Sequence, residues 1–286
     1  LEGIMVIGAL GGALVLKFMP VSVGAPVMVI TTVIVSALFG LVFSLLLAVA
    51  AINFKADQTI TGTAMNMLAT AAATVAVKAM NTAASGGNDV SSDISYTRTK
   101  DLLLVHVGGF ELNWFMLVAV LCLIAAYVAL YKTRFGLRLR ACGEHPQAAD
   151  SVGINVYKMR YAGTTISGAL AGMGGFVYAL TTANCTANGD VAGFGFLALA
   201  VMIFGNWKPL NVAGGALLFG LFKCIAACYS TLDINGDGIY ALTELGLNAN
   251  FYRLLPYVIT LVVLAFTSKS SRAPKAEGIP YDKGQR

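Results

Sequence analysis

An all-α membrane protein that crosses the bilayer many times is the fold class this sequence predicts, and three observations carry that prediction. Of 286 residues, 57% are hydrophobic and 12% charged, where a soluble domain carries about 25% charged residues. Mean hydropathy is +0.76. Stretches such as 27–51 are apolar on every face, as a lipid-embedded helix is and a half-buried one is not. A transmembrane β-barrel would alternate apolar and polar residues, so these runs exclude it. The net charge of +5 gathers on no basic face, which excludes nucleic acid as a partner and leaves membrane lipid.

Apolar runs at 3–18, 26–51, 59–80, 113–131, 156–181, 194–205, 209–229 and 253–268 give about eight candidate transmembrane segments, in a transmembrane domain over 1–268. The sixth is too short to span as an ideal helix. Gly189, Asp190, Gly193 and Gly195 punctuate the chain before it, so a broken or re-entrant segment is expected there. The fifth carries small-xxx-small pairs, Gly168 with Gly172 and Ala171 with Gly175, which let helix backbones approach closely in lipid. Packing within the chain is the expectation, and a subunit interface is the alternative. Cys122, Cys142, Cys185, Cys224 and Cys228 form no CxxC pair and read as small apolar fillers.

Orientation follows from the basic residues. Lys132, Arg134, Arg138 and Arg140 crowd the connection after the fourth run, and Lys269, Arg272, Lys275, Lys283 and Arg286 follow the last. Alternating the runs puts both groups on one side, the cytoplasmic one, with 269–286 a cytoplasmic C-terminal tail. Asp89, Asp93, Asp101 and Glu111 then fall outside, with Asp233, Asp237 and Glu244. The outer loops 81–112 and 230–250 read as solvated connections with no domain of their own.

The inner loop 132–155 has the most specific local pattern. Gly143-Glu144-His145-Pro146 leads into Gln147-Ala148-Ala149, and Gly153 follows. Proline suits a first helical turn and glycine a left-handed C-terminal cap, which predicts a short helix over 147–152 lying across the membrane face. Such a capped helix is either a docking knob or an amphipathic turn resting on the bilayer. Glu144 and His145 have no nucleophile or metal ligand beside them, so they are not read as an acid/base pair.

Polar residues inside apolar runs mark candidate pathway positions, because each is costly against lipid. Thr63 and Asn66 in the third run, Asn184 after the fifth, and Asn206 with Trp207 after the sixth are the best placed. Neutral amides and an indole suit an uncharged, hydrogen-bonding solute; interhelical hydrogen bonding is the alternative for each. In the loop 230–250, Asp233, Asn235, Asp237, Gly238, Ile239 and Glu244 match the calcium pattern D-x-[DN]-x-[DN]-G-x5-E. Asp233, Asn235 and Asp237 would supply oxygens, Ile239 a carbonyl and Glu244 a bidentate carboxylate for Ca2+, unless the match is a chance product of an Asn/Asp/Gly-rich turn.

The stretch Arg140 to Ile154 resembles the cytoplasmic coupling loop of permease subunits of ATP-binding cassette importers, in the family of ribose, branched-chain amino acid and nucleoside permeases. Leu1-Glu2-Gly3-Ile4-Met5, Asp57 to Gly62 with Asn66, Gly195 to Trp207, Pro256 to Thr260 and Arg272-Ala273-Pro274-Lys275-Ala276 are similar to its nucleoside and simple-sugar branch. The resemblance implies a cobalamin-importer-like architecture in a bacterial cytoplasmic membrane. It also implies a second homologous permease subunit, an extracellular substrate-binding lipoprotein, and ATPase subunits docked on Gly143, Glu144, Pro146, Gln147, Ala148, Ala149 and Gly153. The chain has no G-x-x-x-x-G-K-[ST] phosphate loop, so ATP and Mg2+ belong to those subunits, and no cofactor or enzymatic activity is expected here. The expected solute is a nucleoside. A monosaccharide or branched-chain amino acid is the alternative, and an ion-coupled secondary transporter is the rival from another class. Family members carry a further hydrophobic segment before the Leu-Glu-Gly stretch, so an N-terminal segment is expected to be missing from this sequence.

Overall fold

The computed structural model describes residues 1–20, 22–87, 91, 93–94, 104–107, 110–181, 191–228, 254, 258, 261 and 273–283. The described chain is predominantly helical: α1 (Glu2–Phe18), α2 (Ala25–Ala48) running into a π-turn at Val49–Asn53, α3 (Gln58–Ala84), strands β1 (Leu104–Val107) and β2 (Phe110–Asn113), α4 (Trp114–Tyr131), α5 (Arg134–Glu144), α6 (Pro146–Ser151), α7 (Val156–Thr181), α8 (Phe194–Phe204) and α9 (Pro209–Cys228). These helices follow the first seven apolar runs closely. The eighth, 253–268, lies outside the described residues except at 254, 258 and 261.

Three of the described helices are long and apolar enough to cross a membrane: Ala25–Asn53, Gln58–Ala84 and Trp114–Tyr131. At 11 residues α8 is roughly 16 Å long, about half a hydrocarbon core, as its short apolar run predicts. Two features differ from the expectation. The outer loop 81–112 holds the last turn of α3 and most of an antiparallel hairpin, with Leu104 opposite Asn113 and Val107 opposite Phe110, so the fold is not wholly α. Val105 and Leu112 face each other across it, and such apolar cross-strand pairs stabilise a ladder that composition alone reads as loop. The inner loop holds a helix of its own, α5, which the basic stretch Arg134 to Arg140 conceals from a reading based on apolar runs.

The chain divides into two compact units, one of residues 1–196 with 274–286 and one of 197–273. In the first, α1 is the central helix, buried from Gly3 to Ala13 on every side. Helix α2 buries one row, Met28, Thr32, Ser36, Gly40, Ser44 and Ala48, spaced by four. Its large aliphatic residues, Ile30, Ile34, Leu38, Val42 and Leu46, point outward. Small and hydroxylated residues inside with large apolar ones outside is the arrangement lipid favours, since burying leucine gains nothing against hydrocarbon while close backbone contact does. The hydroxyls are satisfied within the helix: Thr32 Oγ1 donates to the Met28 carbonyl at 2.8 Å, and Ser44 Oγ to that of Leu41 at 2.8 Å.

Glycine makes the approach possible. A Cβ on Gly8 would strike the backbone of Gly172, one on Gly40 the backbone of Gly168 and Gly172, and one on Gly175 the backbone of Met5. The small-xxx-small residues of α7 therefore pack against α1 and α2 of the same chain. Two polar devices pin the ends of α1. The Asn66 side-chain oxygen accepts from the Gly3 N–H at 2.8 Å, satisfying a first-turn donor. At the other end Lys17 Nζ donates to Asn81 Oδ1 at 3.2 Å, and Asn81 Nδ2 donates to the Ser91 and Asp93 carbonyls.

In the second unit, α8 and α9 join through a tight reversal at Gly205-Asn206-Trp207, with Asn206 and Trp207 both left-handed (φ 51° and 56°). The Phe204 and Phe219 rings meet edge to face at 6.3 Å. A Cβ on Gly205 would hit Val212, so glycine is what lets the chain turn back on itself there.

Candidate coupling surface and pathway residues

The inner loop begins with a reversal between α4 and α5. Thr133 caps α5, its hydroxyl accepting from the Gly136 N–H at 3.2 Å. Gly136 lies against the carbonyls of Ala129 and Leu130, where any side chain would collide with backbone. Arg140 then folds back over the Tyr131 ring at 4.7 Å, a cation–π contact that holds α5 against the end of α4. His145 ends α5 and precedes α6, and its extended backbone (φ −142°) makes the corner between the two helices.

Helix α6 has the predicted punctuation, with Pro146 in its first turn and Gly153 at φ 84° beyond its end. The Ile154 N–H returns to the Ala149 carbonyl at 3.1 Å and the Gly153 N–H to that of Asp150 at 2.9 Å, closing the C-terminal turn. The helix has two faces. Pro146 and Ala149 are buried, whereas Gln147, Ala148, Ser151 and Val152 are exposed, with Glu144 and His145 exposed beside them. Asn155 opens α7, its side-chain oxygen accepting from the Lys158 N–H at 3.0 Å.

Beneath α6 sits a small apolar cluster of Cys142, Ala149, Val156 and Tyr281. Burial pushes the Cys142 thiol up from its ordinary range, with Arg160 opposing, so it is a poor nucleophile at neutral pH. Tyr281 belongs to the C-terminal tail, far from the inner loop in sequence. The tail is polar and basic, and nothing local in it signals that it packs. Only the stretch Arg272 to Ala276, through its similarity to the nucleoside branch, sets this part of the tail apart.

The candidate pathway residues lie on separate elements. Thr63 and Asn66 lie one turn apart on α3, where the Thr63 hydroxyl donates to the Ile60 carbonyl at 2.8 Å and is exposed. The Asn66 oxygen is engaged with α1. Asn206 and Trp207 form the left-handed reversal after α8. Asn184 lies outside the described residues, as do Asp233, Asn235, Asp237, Ile239 and Glu244. Two polar residues outside the candidate pathway set are placed by long-range contacts. They are Asn81, described above, and Glu2, whose Oε1 accepts from the Gly193 N–H at 3.0 Å just before α8.

Comparison with known proteins gives a consistent picture. A family model described as "Branched-chain amino acid transport system / permease component" matches residues 1–264. The guanosine ABC transporter permease protein of Bacillus subtilis is 38% identical across 100% of this chain and 88% of its own length. The nucleoside ABC transporter permease protein NupC of Lactococcus lactis is 36% identical across 100% of this chain and 87% of its own. A second nucleoside permease of that organism, NupB, is 25% identical over 58% of this chain and 46% of its own length. No solved structure matches. With the family model covering nearly all of its length and two relatives above 30% identity along the whole of it, the chain belongs to the branched-chain amino acid transport system / permease component family.

Proposed function

We propose that the chain is the transmembrane permease subunit of an ATP-driven importer and forms the translocation pathway for nucleosides across a bacterial cytoplasmic membrane. One observation carries this: 36–38% identity, end to end, to permeases named for guanosine and nucleoside transport. About eight spans with a cobalamin-importer-like arrangement accommodate the seven described helical runs and the apolar run 253–268. The inner face carries the loop 132–155 and the C-terminus. In support, the tail packs on that loop, its Ala276 N–H donating to the Gly143 carbonyl at 2.9 Å, which requires both to lie on one side.

ATPase subunits that hold ATP and Mg2+ grip the exposed residues of α6, and their closure tilts α5–α7 so that the cavity changes the side it faces. A second homologous permease completes the pathway; two different nucleoside permeases of Lactococcus lactis both resemble this chain. An extracellular lipoprotein delivers the solute. Thr63, Asn66, Asn184, Asn206 and Trp207 are the proposed pathway groups. The test is uptake of labelled guanosine into proteoliposomes that hold all subunits. Uptake should require ATP and be displaced by other nucleosides. Displacement by ribose or leucine instead would favour the monosaccharide or branched-chain amino acid reading, the latter being the family's own description. Uptake driven by an imposed proton or sodium gradient would point to a secondary transporter.

The loop of Asp233, Asn235, Asp237, Ile239 and Glu244 is further proposed to bind Ca2+ on the outer face, with a dissociation constant on the order of 0.1–1 mM as in extracellular modules. Calcium at about ten times that constant should add roughly 1.4 kcal/mol of stability. Thermal unfolding in detergent, with calcium or chelator, should show a shift in the parent that Glu244→Gln abolishes. Equal curves in all four conditions would reduce the motif to chance.

A further inference from the structure

The C-terminal tail lies along the inner-loop helices over residues 274–283. The Ala276 N–H donates to the Gly143 carbonyl at 2.9 Å, and Arg160 Nη1 donates to the Ile279 carbonyl at 2.9 Å. The Tyr281 ring is 5% exposed; it packs with Cys142, Ala149 and Val156, meets the Tyr157 ring edge to face at 5.4 Å, and lies 6.0 Å from the Arg160 guanidinium. Next to it, Asp282 Oδ2 pairs with Lys55 Nζ at 3.0 Å. Ten residues thus touch four pieces of chain far from the tail in sequence: the segment just after the π-turn that follows α2, and the successive helices α5, α6 and α7.

A helix of six residues cannot orient itself, because helices shorter than about 12 residues are marginal in water. Its direction comes from what its buried face touches. For α6 that face is Pro146 and Ala149, and Tyr281 is among the groups that Ala149 packs with. We propose that residues 274–283 are a strap that completes the ATPase-docking surface, with Tyr281 the positioning residue that holds α6 in the geometry the ATPase grips. Through Asp282 and Lys55 the strap also ties that surface to the end of α2, so that a push on α6 moves α2 and α7 with it instead of being absorbed by the loop. The proposal rests on α6 being the docking helix.

The test uses the complete transporter in proteoliposomes, with Cys142 as the sole cysteine. Cys142 is buried beneath the strap and should label slowly with a polar maleimide. Tyr281→Ala should leave the complex assembled, raise Cys142 labelling on the order of tenfold, and lower the guanosine moved per ATP hydrolysed. Tyr281→Phe keeps the ring and should behave as the parent. Labelling that stays slow in Tyr281→Ala, or rises with the transport ratio unchanged, overturns the strap. The docking reading is tested separately by Ala148→Asp: if that variant keeps ATPase assembly and uptake, α6 is not the docking helix. A second variant does not depend on Tyr281→Ala folding. The Cβ position of Gly143 is 3.7 Å from that of Pro274, within the span of about 3.5–4.5 Å that a disulfide bridges. Gly143→Cys with Pro274→Cys, in a chain otherwise free of cysteine, should give the same transport ratio oxidised and reduced, because strap and loop move as one body. A ratio lost on oxidation and restored by reductant would show that the strap leaves the loop during the cycle, and would overturn the proposal.

Discussion

Gly172→Ala and Gly174→Ala, two residues apart on α7, should move stability in opposite directions. A Cβ on Gly172 would meet the Ser36 carbonyl and sit 2.9 Å from the Gly40 Cα and 3.1 Å from its nitrogen, all of them backbone atoms that cannot rotate away. Gly172 is also the surface against which Gly8 of α1 packs, so displacing it separates α7 from both α1 and α2. Overpacking typically costs about 1–3 kcal/mol, and the upper end is expected where only helix movement can relieve it. The same methyl on Gly174 meets nothing within 4 Å and should gain about 0.4–1 kcal/mol by restricting the unfolded chain. Thermal unfolding of the two purified variants against the parent is the measurement. A larger residue widens the gap: Gly172→Leu should yield no monodisperse transporter, while Gly174→Leu should purify normally. Equal shifts for the two alanines would mean that α7 does not pack on α1 and α2 through this face.

Ala148→Asp should cut uptake by an order of magnitude or more while leaving the subunit folded. Ala148 is exposed on α6, so the carboxylate is hydrated in the free permease and is desolvated when the ATPase closes over it. Forcing an unpaired charge into an interface costs about 2–5 kcal/mol, more than a tenfold loss of binding. Ala149→Asp should fail differently. Ala149 is 3% exposed and packs in the cluster with Cys142, Val156 and Tyr281, so a charge there disrupts the inner loop itself and lowers the unfolding temperature before any ATPase is added. Measuring ATPase association and unfolding for the pair separates the two faces: if Ala148→Asp binds the ATPase and transports as the parent does, the outward face of α6 is not the contact.

The inner loop shows how far local signals reach. Pro146 and Gly153 act through their own backbone torsions, so the short helix between them is legible in the sequence. The two alanines inside it look interchangeable there, yet one faces out and the other in. A six-residue helix has no long apolar period from which its faces could be read. Asn66 and Asn206 follow the same rule. Each stands out in the sequence because an amide is costly in lipid. What each amide touches depends on a partner elsewhere: Asn66 meets Gly3, 63 positions away. The left-handed turn at Asn206 follows from how α8 and α9 fold back.

By itself the sequence determined the membrane class, the position and length of the helices formed by the first seven apolar runs, the brevity of α8, and the caps of α6. Each depends on composition or on interactions within a few residues, which chain order preserves. Tertiary structure alone decided which face of α2 is inside, because a helix apolar all round carries no amphipathic signal and the choice falls to Gly40, Ser36 and Ser44 meeting the glycines of α7. It also decided that Tyr281 lies under the inner loop. That contact joins residues more than a hundred positions apart in a polar tail, and a pairing of that separation depends on the fold that brings the two ends together, not on any pattern in the residues around it.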